Sequence, residues 1–301
     1  MYYNLNENFF KGGFWGKLLT FCIDITILES IMESQIATSL NLKYHPVAIL
    51  WTDEKPKNAL QFKKGKWGCV MWLFANAAKG QICVFDRETY GCWGGGVGLG
   101  FGNQYINFPG GIECFYRFLS DGNKKWKTGQ RVAQEIKNFV RKDFLEDFLN
   151  GERYKKSFEL VKKFVEQLPI IDIPQKYVVF KPLRDVDLNK EEPKVIVFLV
   201  NPDQLSALIT LANYNREGNE NVIIPWAAGC QTIGVLAYKE AKSKTPRAIV
   251  GLTDISARRN IRRQLDKDSL SFAIPLKMFQ EMEKNLKHSF LQRPTWKALK
   301  V

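Results

Sequence analysis

The 301-residue chain is predicted to be an α/β protein built from two related α/β lobes joined by an inserted helical segment. Three observations predict this. Two β-branched apolar runs, HPVAILW at 45–51 and KVIVFLV at 194–200, read as strands buried on both faces. Each half then carries a Gly-Cys pair opening a helix-like run, Gly68-Cys69 and Gly229-Cys230, with a second loop 21 to 23 residues beyond, at 92–94 and 251–253. Between the halves, apolar residues recur at helical spacing. A duplicated unit would bring the two Gly-Cys loops together across a pseudo-twofold axis. The expected division is an arm at 1–20, a first lobe at 21–115, a helical segment at 116–172 and a second lobe at 173–301.

The elements follow in order. Residues 1–15 are aromatic and Asn-rich and read as an extended arm. Residues 23–40 hold Ile27, Ile31, Ser34 and Thr38 at helical spacing, with Cys22 as core beside them. The strand at 44–52 has Pro46 near its start, where a missing N–H matters least. After a polar loop comes a helix at 70–79, stopped by Gly80, whose alanines at 75, 77 and 78 allow close packing. A short strand is expected at 81–85. Glycines at 94, 95, 96, 98, 100 and 102 then read as an irregular loop with largely uncovered backbone. Val132, Ile136, Phe139, Val140, Phe144, Phe148 and Leu149 form one helical face, and a further helix is expected at 159–168. Strands at 177–180 and 194–200 come next. Asn201-Pro202 stops the second, and Asp203 is the expected cap of the helix that follows. A strand at 222–226, a helix to Lys239, strands at 247–252 and 271–275, and a helix at 278–286 complete the pattern.

Composition bounds the function. With 45% hydrophobic and 25% charged residues the chain is ordinary globular material. Its apolar runs are too short to span a membrane, and its first residues lack a basic-then-apolar leader. A cytoplasmic protein with no membrane partner is expected. Two histidines leave little room for Ser-His-Asp hydrolysis or a histidine-rich metal site. His45, at a strand entry, reads as structural. The net charge is +13, of which +9 falls in residues 239–301, where fifteen Lys or Arg face six Asp or Glu. Such a field favours an anionic small molecule or an acidic protein partner. Nucleic acid is the weaker alternative, since no zinc finger, RNP signature or helix-turn-helix is present.

Cysteine carries the chemistry. Six thiols are too few for a disulfide scaffold in a chain of this length. Thirteen residues separate Cys69 from Cys83 and eight separate Cys83 from Cys92, which fits neither a ferredoxin run nor a zinc knuckle. Position is the stronger argument. Cys69 and Cys230 occupy corresponding loops, and Cys92 and Cys114 flank the glycine run. These four are the expected ligands of an iron–sulfur cluster or other redox group held between the lobes. Backbone N–H groups of Gly94, Gly95 and Gly96 would bond to it, and Arg258 and Arg259, on one helical face with Arg262 and Arg263, would draw in an anion. Glu113, beside Cys114, is a candidate acid, base or thiol modulator. Two alternatives stand: a metal-free binder of a small molecule or anion whose thiols are merely packed, and a basic protein associated with nucleic acid.

The segments HPVAILW, GCVMWLFANAAKG, GCWGGGVGLGF, VVFKPLRDVD, EEPKVIVFLVNPDQLSALITLANY, PWAAGCQT and FAIPLKMFQEM resemble DUF169, an uncharacterised archaeal and bacterial family, over about residues 40 to 286. The resemblance implies functional positions at Cys69, Cys92 and Cys230. Cys83 falls where that family often has an aromatic or aliphatic residue. One departure matters. Where such proteins commonly carry a second Gly-Cys followed by Gly-x-Arg, this chain has Gly251-Leu252-Thr253-Asp254, with Arg258 and Arg259 nearby but no thiol. A site using that thiol must be completed differently here, with Cys114 the expected substitute.

Overall fold

A computed structural model describes residues 33–299; the arm expected at 1–20, Cys22 and the first part of the helix expected at 23–40 lie outside the described residues. Seven strands form one sheet: β1 (Val47–Thr52), β2 (Cys83–Phe85), β3 (Tyr177–Pro182), β4 (Val195–Val200), β5 (Val222–Ile223), β6 (Ala248–Gly251) and β7 (Leu270–Pro275). Their spatial order is β2-β3-β1-β4-β7-β6-β5, antiparallel throughout except for β5 against β6. The α/β class stands. The expected pair of lobes is not what the sheet shows, because strands of both halves share it. β1 and β4, the two runs most legible as strands, pair with each other at its middle. Each is buried on both faces, and each covers an edge of the other that would otherwise present unpaired backbone groups.

The registers of the two halves correspond. Val47 faces Pro182 and Thr52 faces Tyr177 in the first half; Val195 faces Pro275 and Val200 faces Leu270 in the second. Across the centre, Val47 pairs with Val197, Ala48 with Ile196 and Ile49 with Val195, a pairing that maps onto itself when Val47 is set equal to Val195. The corner contacts match as well. Leu183 N–H donates to the Pro46 carbonyl at 2.8 Å, and Leu276 N–H to the Lys194 carbonyl at 3.1 Å. Outside them, β2 pairs with β3 and β6 pairs with β7 in the same sense.

Period-two alternation divides the strand residues between two layers of helix. On one face Val47, Ile49, Phe85, Phe180, Val197 and Ile249 pack against helices Val70–Ala77, Gly229–Ile233, Val235–Ala241 and Ile255–Ile261. On the other, Ala48, Leu50, Ile196, Phe198, Val250 and Phe272 pack against Gln35–Ser39, Pro202–Asn213 and Leu276–Asn285. The Pro202–Asn213 helix is capped by Asn201 rather than Asp203. Asn201 Oδ1 accepts from Gln204 N–H at 2.9 Å and Gln204 Oε1 from Asn201 N–H at 3.0 Å, so two orphan donors are satisfied reciprocally.

The helical segment adds a third, aromatic core around Phe108, Phe115, Phe148, Val161 and Val165. It holds Gly111–Phe118, Lys127–Ile136, Lys142–Asn150 and Phe158–Gln167. The apolar face read as continuous through 132–149 is interrupted between the second and third of these helices. Phe139, in that turn, is 88% exposed and takes no part in the core. Asn123 ties the core together, donating from Nδ2 to the carbonyls of Cys114 at 3.1 Å and Phe148 at 3.0 Å.

Candidate functional site: a cleft of thiols and aromatics

The glycine run is a helix, Trp93–Leu99, and not the open loop expected of it. Glycine is a poor helix former, by about 1 kcal/mol each relative to alanine. The gain lies in contact. A Cβ on Gly98 would stand 2.9 Å from the carbonyl carbon and the sulfur of Cys230, and one on Gly95 2.7 Å from Val70. Without side chains this helix crosses Gly229–Ile233 at backbone distance. Trp51 Nε1 donates to the Leu99 carbonyl at 2.9 Å and fixes its far end to the sheet.

That crossing brings two thiols together. Cys92 caps the glycine helix, its Sγ accepting from Gly95 N–H at 3.2 Å, and Cys230 Sγ donates to the Gly94 carbonyl at 3.3 Å. Cys69, at the start of Val70–Ala77, faces the same space. So does Asp254, which caps Ile255–Ile261 by accepting from Ala257 N–H at 2.8 Å. Its other oxygen, Oδ1, is buried beside the Gly229 backbone, whose N–H pulls the carboxyl down against its burial. Trp72 Nε1, bonded to the Asn260 carbonyl at 2.9 Å, holds the helices of Cys69 and Asp254 side by side. Four chain segments thus bring three sulfurs and one carboxyl to one cleft of about 330 Å³.

Electrostatics describe what these groups are on their own. Burial, followed by the neighbouring Cys92, pushes the Cys69 thiol up to about 12. Burial raises Cys92 too, against the pull of Gly95 N–H, and takes Cys230 well above the ordinary thiol range with Cys92 and Cys69 adding to it. Asp254 is raised by burial. Thiols so protonated are weak nucleophiles, which counts against reactive free cysteines here. A bound cation reverses that balance, since coordination removes the thiol proton outright. Among the described residues, no three His, Cys, Asp or Glu side chains converge closely enough to hold a single metal ion.

The other expected site residues fall as follows. Gly94 lines the cleft, whereas Gly95 and Gly96 pack against Val70 and Gln104. Cys114 is fully buried in the aromatic core, and its neighbour Glu113 does not line the cleft. The structure does not bring Cys114 to the other three thiols. Its place beside the glycine run in sequence is undone by the turn that carries the chain into Gly111–Phe118. Cys83 is core, donating to the Leu73 carbonyl at 3.2 Å. Arg258 lies off the cleft. It donates from Nη1 to the carbonyls of Leu252 at 3.0 Å and Ser269 at 3.1 Å, and from Nη2 to that of Lys267. Arg259 does line the cleft, paired with Asp143 at 2.7 Å and Asp147 at 3.5 Å. The single positive face expected of these arginines is therefore absent: Arg258 holds its own loop, Arg259 pairs across to the helical segment, and Arg262 and Arg263 lie past the helix end.

Sequence reasoning passed over Asp254 as a site residue, although the loop that lacks a thiol was the signal for it. Trp93, Phe108, Phe118, Phe144, Phe164 and Trp226 line the cleft together with Glu152 and Tyr154; of these only Trp93 and Trp226, close to the cysteine loops in sequence, suggest a pocket from the sequence alone. No described helix is long and apolar enough to cross a membrane.

The profile of the DUF169 family, described as an uncharacterised ArCR family, matches residues 35–285, and the chain belongs to that family. No curated protein and no solved structure matches it.

Proposed function

We propose that this cleft binds an iron–sulfur cluster, or a redox group of similar size, and that the protein serves electron transfer or reductive chemistry. Cys69, Cys92 and Cys230 are the thiolate donors and the Asp254 carboxylate is the fourth. The observation that carries this reading is the cleft shared by three thiols, Cys69, Cys92 and Cys230, with the buried Asp254 oxygen beside them. Soft thiolates select iron–sulfur clusters. The helix starts at Cys69, Cys92 and Asp254 add orphan N–H groups, and such donors to the sulfurs tune a cluster's potential. When bound, the group would supply one-electron chemistry. The chain itself holds the donors apart on separate helices and surrounds them with apolar side chains that exclude water.

The matched registers support a second part of the reading, that the halves derive from one duplicated unit with Asp254 standing where the first half has Cys92. Both residues cap the helix that follows a β2-like strand.

Anaerobic expression and purification, with iron, acid-labile sulfide and zinc determined beside a visible spectrum, tests the proposal. Stoichiometric iron and sulfide that disappear in Cys69→Ser, Cys92→Ser and Cys230→Ser are expected. Colourless protein after attempted reconstitution would overturn the reading in favour of a metal-free cleft with packed thiols.

A further inference from the structure

Opposite the sulfurs the cleft holds two polar residues that the cluster reading leaves unused. Glu152 and Tyr154 sit in the connection between Lys142–Asn150 and Phe158–Gln167. Glu152 N–H donates to the Phe118 carbonyl at 2.7 Å and Tyr154 N–H to the Leu119 carbonyl at 3.0 Å, so both are pinned to the end of Gly111–Phe118. Arg153 between them takes a left-handed φ of 56°, a conformation that a side chain other than glycine adopts only where its surroundings impose it. That twist sends Arg153 outward while its neighbours face the cleft. Tyr154 Oη lies 3.4 Å from Glu152 Oε1, with Tyr154 as donor.

The charges around this pair decide what it can receive. Glu152 faces Tyr154, Asp147, Arg259 and Asp254. Arg259 is engaged by Asp143 and Asp147, and Arg141 by Asp143 at 2.9 Å. An incoming anion therefore meets acidic side chains and no unengaged arginine among these. Three of the cleft's rings already hold a cation, since Lys155 Nζ stands 4.3 Å from the Trp226 ring centre and 5.6 Å from that of Phe164, and the Arg141 guanidinium 5.5 Å from that of Trp67. What remains is a flat aromatic chamber with a carboxyl and a phenol at its end.

We infer that Glu152 and Tyr154 are the polar anchor of a second subsite, beside the thiols, which takes a small, flat, uncharged organic molecule through a hydrogen-bond acceptor such as a carbonyl oxygen. This rests on the proposed function for its neighbour but not for its own binding. Burial and the nearby Asp147 hold the Glu152 carboxyl up to about 7, so at neutral pH and below it can donate to such an acceptor.

The test uses acetophenone, benzoate and benzylammonium as probes of equal size and different charge, followed by ligand-observed NMR on the full chain. Acetophenone is expected to bind at least tenfold tighter than either ion, with affinity falling as pH rises from 6 to 8. Glu152→Ala should lose at least tenfold, while Glu152→Gln, which keeps a donor, should retain binding and lose the pH dependence. Equal binding of the three probes, preference for benzylammonium, or unchanged affinity in folded Glu152→Ala would each overturn it. Iron is measured on the same samples. Acetophenone binding without iron would break the cluster reading alone, and iron without acetophenone binding would break this one alone.

Discussion

The two halves of the sheet send helix starts to one cleft, and those starts carry different side chains. The first supplies Cys69 and Cys92, the second Cys230 and Asp254. Their second helices differ more than their strands do. Trp93–Leu99 is four parts glycine in seven and lies against the backbone at Cys230; Ile255–Ile261 is Ile-Ser-Ala-Arg-Arg-Asn-Ile and meets Gly229 through the side chains of Asp254 and Ala257. The strand registers set where each helix begins, and the side chains set how near it comes. The position and the spacing of these side chains in the cleft are therefore controlled by different parts of the chain.

The largest expected effect breaks the close crossing. Gly98→Ala adds a Cβ 2.9 Å from Cys230, overpacking that costs about 1–3 kcal/mol, and should lower the urea midpoint and abolish iron binding together. Gly94→Ala is its internal control, because nothing lies within 4 Å of the added Cβ. Its stability should be unchanged or up to about 1 kcal/mol higher.

Next come the thiols. Serine at 69, 92 or 230 should remove iron with little change in the far-ultraviolet spectrum, whereas Cys83→Ser and Cys114→Ser should keep it. Retained iron in Cys92→Ser would show that the glycine helix is not a ligand-bearing element. Asp254 sharpens the comparison further. Asp254→Cys makes the two halves alike and should keep iron with an altered visible spectrum. Asp254→Ala should weaken iron retention and lose an N-cap worth about 1 kcal/mol.

The remaining effect lies outside both halves and is spread over a pH range. Glu152 has its carboxyl raised by burial from an ordinary 4.5 to about 7. A raised group stabilises the fold fully below the unfolded value and progressively less as pH rises through the folded one. Stability should thus decline by about 2 kcal/mol between pH 4.5 and 7, and Glu152→Gln should flatten that decline in thermal melts.

The strands were legible because β1 and β4 are β-branched runs with no polar interruption, and burial on both faces leaves that signature whatever the neighbours are. Their pairing with each other was hidden, since nothing local in a buried strand names the strand beside it. The glycine helix was illegible for a related reason. Local propensity argues against it, and only the backbone at Cys230, far along the chain, makes glycine the right residue. Cys69 and Cys230 are legible together from their corresponding loops, whereas Cys92 and Cys114 both flank the glycine run and only Cys92 lines the cleft, because a turn carries Cys114 into the aromatic core. Arg258 looked free because sequence does not reveal that its guanidinium reaches three carbonyls of its own connection.

The insertion of the helical segment between β2 and β3 also sets an order of assembly. Thr52 must find Tyr177, whereas Val200 finds Leu270 over a much shorter stretch. Closing the longer loop adds only about 0.6 kcal/mol per doubling of length, yet long-range pairing is slow, and domains emerge from the ribosome N-terminus first. β3 is made before β4 and β7, so β1 can close on β3 across the helical segment before the second half exists. The free edge of β1 is then a template on which β4 aligns when it is made.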